Sequence, residues 1–387
     1  VKDLTHDRVW SAAHQPVCAP ADAYRALLAT DRVTFQRTDG PIETRTEIVV
    51  VPEDAAEVRR ITLVNNGDVP CELELTSYGE VVLAPPESER AHPAFANLFV
   101  ETEWHGWCTA LTATRRPRSA HERSLWCVHV VDSGHERVDD VSWETDRARF
   151  RGRGRSTRAP LALDSAGPLS GTTGAVLDPI FALRTRVRLE AHQSASVSFT
   201  TLVASTRERA FELADRYHDP HSAQRALELA WAAEQIELRE LNVRPVDAAH
   251  FQELAGHLFY DTPHLRAPRE ERAADTGSQA LLWAQGVSGD WPIVLATIRK
   301  PAGLRTLRQL FEAHRYWRRR GMTVDLVVIN EQPATYLQEL NDGIMEAMYA
   351  SDDLGVDQPG GVFLRRSDLL RADELRMLRA TARVLVP

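Results

Sequence analysis

The chain is poor in several residue types, and each shortage argues against a class of protein. Four cysteines among 387 residues form no CxxC pair, so neither a zinc site nor a redox dithiol is indicated. Lysine occurs only at Lys2 and Lys300, so arginine carries nearly all the positive charge, as codon usage in a GC-rich genome would produce. No apolar run approaches the roughly 20 residues that span a bilayer. We therefore expect no metal site and no membrane segment in this chain.

The cysteines are predicted to be small buried hydrophobic residues in a reducing compartment. They are Cys18, Cys71, Cys108 and Cys127. The net charge of -9 arises from interspersed charges without a basic patch, which disfavours a nucleic-acid partner and suits a neutral ligand such as a sugar. With 43% apolar and 26% charged residues, the composition is that of a globular protein with room for two or three domains.

Short runs of alternating apolar and polar residues dominate from Tyr24 to about Ser205. This period of two, broken by turns such as Asn66-Gly67, predicts antiparallel strands stacked as two sheets. The stretches Pro85 to Pro93 and Arg151 to Pro168 are rich in Pro, Gly or Arg and are predicted to be long loops. Residues 1–205 are therefore predicted to form a β-sandwich domain.

The hydrophobic period becomes helical after Thr206. Ser205 or Thr206 is a predicted N-cap for a first helix that ends near Asp219-Pro220. Two more helices are predicted, from about Ser222 to Leu241 and from Ala248 to Tyr260. The predicted buried positions of the longer one are Ala226, Leu227, Ala230, Ile236 and Leu241. Residues 206–275 are therefore predicted to be a helical linker.

The last third of the chain alternates continuous apolar strands with amphipathic helices. The strands are WPIVLATI, VDLVVIN, GGVFLRR and RVLV, and the helices are Leu304 to Arg319, Ala334 to Met348 and Ala372 to Arg379. This pattern predicts a mostly parallel sheet covered on both faces. The whole chain is thus predicted to be a multidomain α+β protein: an antiparallel β-(super)sandwich, a helical linker, and a small α/β domain at 276–387.

No glycine motif in the chain has the context that a nucleotide or an acyl substrate requires. The segment after WPIVLATI, Arg299 to Gly303, has the wrong glycine pattern for a phosphate cradle, and Gly152-Arg153-Gly154 lies in a predicted loop. The segment Gly286 to Gly289 lacks one residue of the GxSxG pattern and is predicted to be a tight turn. We expect no cofactor and no serine nucleophile.

Sugar cleavage would require a pair of carboxylates in a cleft. The best local cluster is Glu101 and Glu103, two residues apart on a predicted strand. Glutamates at alternate positions of a strand usually form a solvated face, so we predict no catalytic residue in this chain.

Flat aromatic faces beside hydrogen-bonding groups could instead hold pyranose rings. The predicted carbohydrate contacts are His92, Asn97, Trp104 and Trp107, with Trp126, Trp143, Arg115 and Arg116 as further candidates. Large aromatic residues in a sandwich more often belong to its core, so sugar contact and core packing both remain open.

Several long motifs resemble the cyclic β-1,2-glucan synthase and glycoside hydrolase family 94 phosphorylase group. They are HDRVWSAAHQP (His6 to Pro16), ETRTEIVVVPEDAAEVRRITLVNNG (Glu43 to Gly67), HPAFANLFVETEW (His92 to Trp104), PLSGTTGAVLDPIFALRTRVRL (Pro168 to Leu189) and LLWAQGVSGDWPIVLATI (Leu281 to Ile298). In that family the first of these motifs lies well inside the sandwich, so this chain is expected to be a piece of something longer.

The resemblance implies a parent that transfers glucosyl units of β-1,2-linked glucans on the cytoplasmic side, with any membrane association supplied by other parts of the parent. The family's catalytic acid and phosphate site lie in a downstream (α/α)₆ barrel, which this chain does not resemble. The chain is therefore expected to be a non-catalytic partner of that barrel. A stand-alone carbohydrate-binding or assembly module is the alternative, and an independent glycoside hydrolase is the least favoured.

Overall fold

The computed structural model describes residues 1–117, 124–134, 138–164, 167–274, 277–332, 339–351 and 354–387. The chain forms two compact units, Val1–Gln235 and Ile236–Pro387. The sequence predicted three domains, 1–205, 206–275 and 276–387, and this division stays a prediction. Among the described helices, none is both long enough and apolar enough to cross a membrane.

Within the described residues, the first unit contains fifteen strands. They are β1 (Lys2–Asp3), β2 (Arg8–Val9), β3 (Ala23–Leu28), β4 (Val33–Asp39), β5 (Ile42–Val50), β6 (Ala56–Asn65), β7 (Cys71–Thr76), β8 (Gly79–Glu80), β9 (Val100–His105), β10 (Ala110–Arg115), β11 (Trp126–Asp132), β12 (Ser142–Asp146), β13 (Gly174–Ala175), β14 (Pro179–Leu189) and β15 (Ser194–Ala204). Every pairing among them is antiparallel.

These strands form two sheets. The six-stranded sheet has the order β12-β14-β7-β1-β2, with β8 also paired to β14, and the nine-stranded sheet has the order β13-β9-β10-β11-β15-β6-β5-β4-β3. The core between them takes alternate residues from both sheets, such as Leu73 and Leu183 from the smaller and Leu63 and Leu111 from the larger. The predicted sandwich is confirmed, because this alternation buries one face of each strand.

The edge strand β3 differs from the other strands of the larger sheet, because all six of its residues are exposed. It pairs on one side only, with β4. Tyr24 stacks on Phe35 of β4 with ring centroids 6.5 Å apart, and Leu28 is largely exposed. No strand of the described part of the chain pairs with the other edge of β3.

Three short helices interrupt the strands of the first unit. They are α1 (Pro86–Ala91), α2 (Pro93–Asn97) and α3 (Arg147–Arg151). The prediction of a plain loop at Pro85 to Pro93 is wrong, because Pro86 and Pro93 each begin a short helix, where the missing N–H costs no hydrogen bond.

Two helices follow β15, namely α4 (Arg207–His218) and α5 (Ser222–Glu240). The predicted N-cap is confirmed at Thr206, whose hydroxyl oxygen accepts a hydrogen bond from the Arg209 backbone N–H at 3.2 Å. Leu213 and Leu227 pack on the outer face of the larger sheet. The predicted burial of Ile236 is wrong, since its side chain is 58% exposed.

Three of the four cysteines are buried, as predicted, and none of the four forms a disulfide. Burial raises the pKa of the Cys71 thiol to about 11 and those of Cys108 and Cys127 to about 12, so these thiols stay protonated and unreactive at neutral pH. The prediction is wrong for Cys18, which is only partly buried and contacts the Gln15 side chain through its sulfur at 3.3 Å.

The second unit contains a four-stranded parallel sheet. Its strands are β16 (Ile293–Ile298), β17 (Asp325–Asn330), β18 (Val362–Arg366) and β19 (Val384–Val386), in the order β18-β17-β16-β19. Its helices are α6 (Pro245–Phe259), α7 (Arg269–Ala273), α8 (Ala280–Trp283), α9 (Leu304–Arg319), α10 (Glu339–Tyr349) and α11 (Ala372–Thr381). The predicted parallel sheet is confirmed. Residues 334–338 of the predicted helix Ala334 to Met348 lie outside the described part of the chain.

Helix α9 has the predicted bounds, and its buried residues lie on one stripe. Leu307, Phe311 and His314 are fully buried, and the His314 ring lies within hydrogen-bonding distance of the carbonyls of Val324 and Gly360 through Nε2. Ahead of the sheet, Gly289 adopts a φ of +77°, which only glycine takes readily, so the segment Gly286 to Gly289 is a turn as predicted.

Candidate functional site

Of the four predicted sugar contacts only Trp104 lies on strand β9, whose residues alternate between two faces. Val100 and Trp104 point toward the core between the sheets, whereas Glu101 and Glu103 are exposed on the outer face. The two glutamates therefore form a solvated strand face, as the sequence analysis favoured over a catalytic pair.

The four predicted contacts are not brought together into one site. His92 is exposed between α1 and α2, and Asn97 is half-buried, with its Nδ2 donating to the Asp178 carboxylate at 3.3 Å. Trp104 stacks on Trp143 of β12, with 4.2 Å between ring centroids and 11° between ring planes. This stack joins the two sheets across the core, which makes Trp104 a packing residue.

Trp107 lies apart from Trp104, in the 3₁₀ turn that follows β9, and its side chain is 58% exposed. Its nearest aromatic neighbour is Phe211 of α4, at 6.1 Å between ring centroids. The His105 ring meets the same Phe211 ring edge-on at 4.7 Å. Of the two tryptophans among the four predicted sugar contacts, Trp107 therefore is the one that presents its indole ring to solvent.

Helix α4 brings a cation to the same face of the sheet. The Arg207 guanidinium lies 4.6 Å from the ring centre of Phe211 and 5.8 Å from that of Trp126. Trp126 is opposite Thr114, which is itself opposite Glu101, so the cross-strand pairs place Trp126 on the outer face. We call Trp107, Trp126, Arg207 and Phe211 the outer aromatic surface.

Polar groups border the outer aromatic surface. The Glu103 carboxylate lies 3.6 Å from His105 Nε2, which is also 3.0 Å from the Thr112 hydroxyl. Burial lowers the pKa of His105 below its usual value, so the ring is uncharged at neutral pH. The surface thus combines aromatic faces with the exposed Arg207 guanidinium and the exposed Glu103 carboxylate.

Comparison of the sequence with known proteins identifies the family of this chain. The sequence profile of the glycosyl hydrolase 94 supersandwich domain matches residues 1–220. The chain belongs to this family. The cyclic beta-(1,2)-glucan synthase NdvB of Rhizobium meliloti (strain 1021) is 37% identical over 342 residues, which are 88% of this chain and 12% of that protein. The chain thus spans about an eighth of the length of this relative.

Solved structures resemble the chain only loosely. A polysaccharide lyase superposes with a TM-score of 0.29 and 14% identity, covering 48% of this chain and 23% of its own. The family GH92 alpha-mannosidase of Bacteroides thetaiotaomicron superposes with a TM-score of 0.20 and 8% identity, and the match covers 57% of this chain and 23% of the mannosidase. Both scores are too low to inform the function of the supersandwich.

A cavity of about 610 Å³ also lies within the supersandwich, lined by inward residues of both sheets. His129 is part of its wall and lies parallel to Phe181 and Phe199, with ring centroids 5.9 and 5.8 Å away. Its ring nitrogens contact the hydroxyls of Ser77 and Thr201 at 2.8 and 2.9 Å. The His129 ring is therefore hydrogen-bonded within the protein on both of its nitrogens.

Sequence reasoning missed Arg207 and Phe211 as members of the site, because they lie about 100 residues from Trp107 along the chain. A signal was present in helix α4, whose fully buried positions are Ala210, Leu213, Ala214 and Tyr217. Phe211, which is partly buried, lies at the border of that stripe, and the exposed Arg207 lies one turn before it.

Proposed function

We propose that this chain is the non-catalytic supersandwich segment of a bacterial family 94-type glucan synthase or phosphorylase, and that it contacts β-1,2-linked glucan. The observation that carries the proposal is the 37% identity to a protein named as a cyclic beta-(1,2)-glucan synthase. The exposed position of Trp107 supports sugar contact at one of the four predicted residues.

The catalytic partner in this proposal is an (α/α)₆ barrel elsewhere in the parent protein, which acts on the cytoplasmic side. Within the described residues, the exposed glutamates of β9 lie on a solvated strand face, and no group of three or more His, Cys, Asp or Glu side chains could hold a metal. The proposal therefore assigns bond cleavage and transfer to the barrel and glucan contact to the sandwich.

We expect the purified chain to bind β-1,2-gluco-oligosaccharides saturably, with a dissociation constant on the order of millimolar, because stacking on an exposed ring contributes only about 1 kcal/mol beyond burial. Calorimetric or NMR titration with sophorotetraose would measure it, with cellotetraose as the linkage control. Incubation with phosphate should release no glucose 1-phosphate.

Three results would count against the proposal. Equal affinity for the β-1,2- and β-1,4-linked tetrasaccharides would contradict the proposal that the chain recognises the β-1,2 linkage. Release of glucose 1-phosphate above a buffer blank would contradict the non-catalytic role. Absence of saturable binding up to tens of millimolar would leave the supersandwich as a scaffold.

A further inference from the structure

We propose that the outer aromatic surface is the glucan-binding site of the supersandwich, with a pyranose ring on Trp107 and hydroxyl groups bound by Arg207 and Glu103. This inference rests on the proposed function for the class of ligand. It adds a site that includes residues of α4, none of which the sequence marked as sugar contacts.

The four residues form a continuous row of contacts across the outer face. Trp107 is 6.1 Å from Phe211, Arg207 is 4.6 Å from Phe211, and the same guanidinium is 5.8 Å from Trp126. One end of the row is thus an exposed indole and the other end a half-buried one, with a cation and a phenyl ring between them. A row of this kind suits an extended oligosaccharide better than a single small molecule.

The exposed indole is the part of the row that a sugar ring would cover. An indole face is flat and apolar, and a pyranose ring offers a matching face of C–H groups, so contact removes apolar surface of both from water. The Phe211 ring beside Trp107 and the edge-on His105 ring hold the surface in place before a ligand arrives. Such preorganisation lowers the entropic cost of binding.

The polar groups around the indole suit a neutral polyol. The guanidinium lies against two rings, so cation–π contact orients it while its N–H groups remain suited to donate to hydroxyl oxygens. The exposed Glu103 carboxylate can accept from a hydroxyl group on the same side. Sugar hydroxyls both donate and accept, whereas a phosphate chain would be repelled by Glu101 and Glu103.

The test is a titration of single variants of the full chain with sophorotetraose. Trp107→Ala and Arg207→Gln should each weaken binding about two- to tenfold, the range expected for one lost stacking or charged contact. The indole N–H signals of the nine tryptophans, followed by NMR, should show the Trp107 signal shifting most in the native chain. Circular dichroism and a thermal melt would establish that each variant is folded.

Trp231→Ala is the matched control, because Trp231 lies on α5 with a similar exposure of 55%. It should bind the tetrasaccharide as the native chain does. If the native chain binds and Trp107→Ala binds equally well, the site is wrong while the proposed function stands. If the native chain does not bind, the proposed function and this inference both fail. A Trp107 signal that shifts only on addition of the parent's barrel would make the surface a protein interface and overturn the inference.

Discussion

Replacing Asp39 by alanine should lower the free energy of unfolding of the first unit by about 3–5 kcal/mol, the cost of leaving a buried charge without its partner. The Asp39 carboxylate accepts two hydrogen bonds from Arg37, from Nε at 2.6 Å and from Nη2 at 2.7 Å. Both side chains are almost fully buried, with 1% of Arg37 and 2% of Asp39 exposed. Without Asp39 the guanidinium would keep its charge in the core.

The same guanidinium attaches the segment after β2 to the larger sheet. Arg37 Nη1 donates to the carbonyls of Ser11 and Ala13, at 3.1 and 2.8 Å, and Nη2 donates to that of Ala19 at 3.4 Å. Loss of the pair should therefore loosen this segment as well as the strand. Urea unfolding, followed by circular dichroism, would measure the change in free energy.

A matched control for Asp39→Ala exists at the C-terminal end of β14. Arg188 and Glu190 also form a pair two residues apart, at 3.1 Å, but their side chains are 55% and 60% exposed. Glu190→Ala should therefore change stability by at most about 1 kcal/mol. A loss at Asp39→Ala no larger than that of the control would show that the buried pair contributes no more than an exposed one.

Lowering the pH from 7 to 5 should destabilise the first unit by about 2 kcal/mol through His129 alone. Burial, and after it the nearby Arg59, lowers the pKa of His129 to about 3. In the unfolded chain the imidazole titrates near its ordinary value of about 6.5. Between these two values the unfolded state binds a proton that the folded state does not, so stability falls as the pH falls from about 6.5 toward 3.

His129→Gln should remove this part of the pH dependence, because the amide can contact both Ser77 and Thr201 without titrating. Urea unfolding at pH 7 and pH 5 for the native chain and the variant would give the difference. His192→Gln, at an exposed position, is the control for replacing an imidazole by an amide. A native-like loss of stability in His129→Gln would assign the acid sensitivity to other groups.

Elements with a strong hydrophobic period were predictable from the sequence. Helix α9 has the predicted bounds because its apolar residues recur on one stripe, and β17 lies inside the predicted run VDLVVIN because all six of its residues are buried. By contrast, β1 and β2 have two residues each, too few to show any period. Ile236 continues the helical stripe in the sequence, but its exposure depends on where the packing surface ends, which no local pattern contains.

The candidate site was predictable only in part. The aromatic residues around β9 were recognised, but the sequence did not separate Trp104, which faces the core, from Trp107, which follows the strand in a turn. Arg207 and Phe211 come from a helix that packs across the same sheet, so their place beside Trp107 depends on tertiary structure. Long-range packing of this kind leaves no periodic signal near the site.

The exposed edge strand β3 leads us to expect that this protein associates at high concentration. A strand with free N–H and C=O groups on one side can pair with the same strand of a second molecule, and such pairing leads to aggregation. In the sequence AYRALL the only charged residue is Arg25. Arg25 protects this edge, since two molecules that pair along β3 in a register that places the two arginines side by side meet charge repulsion, which disfavours that pairing.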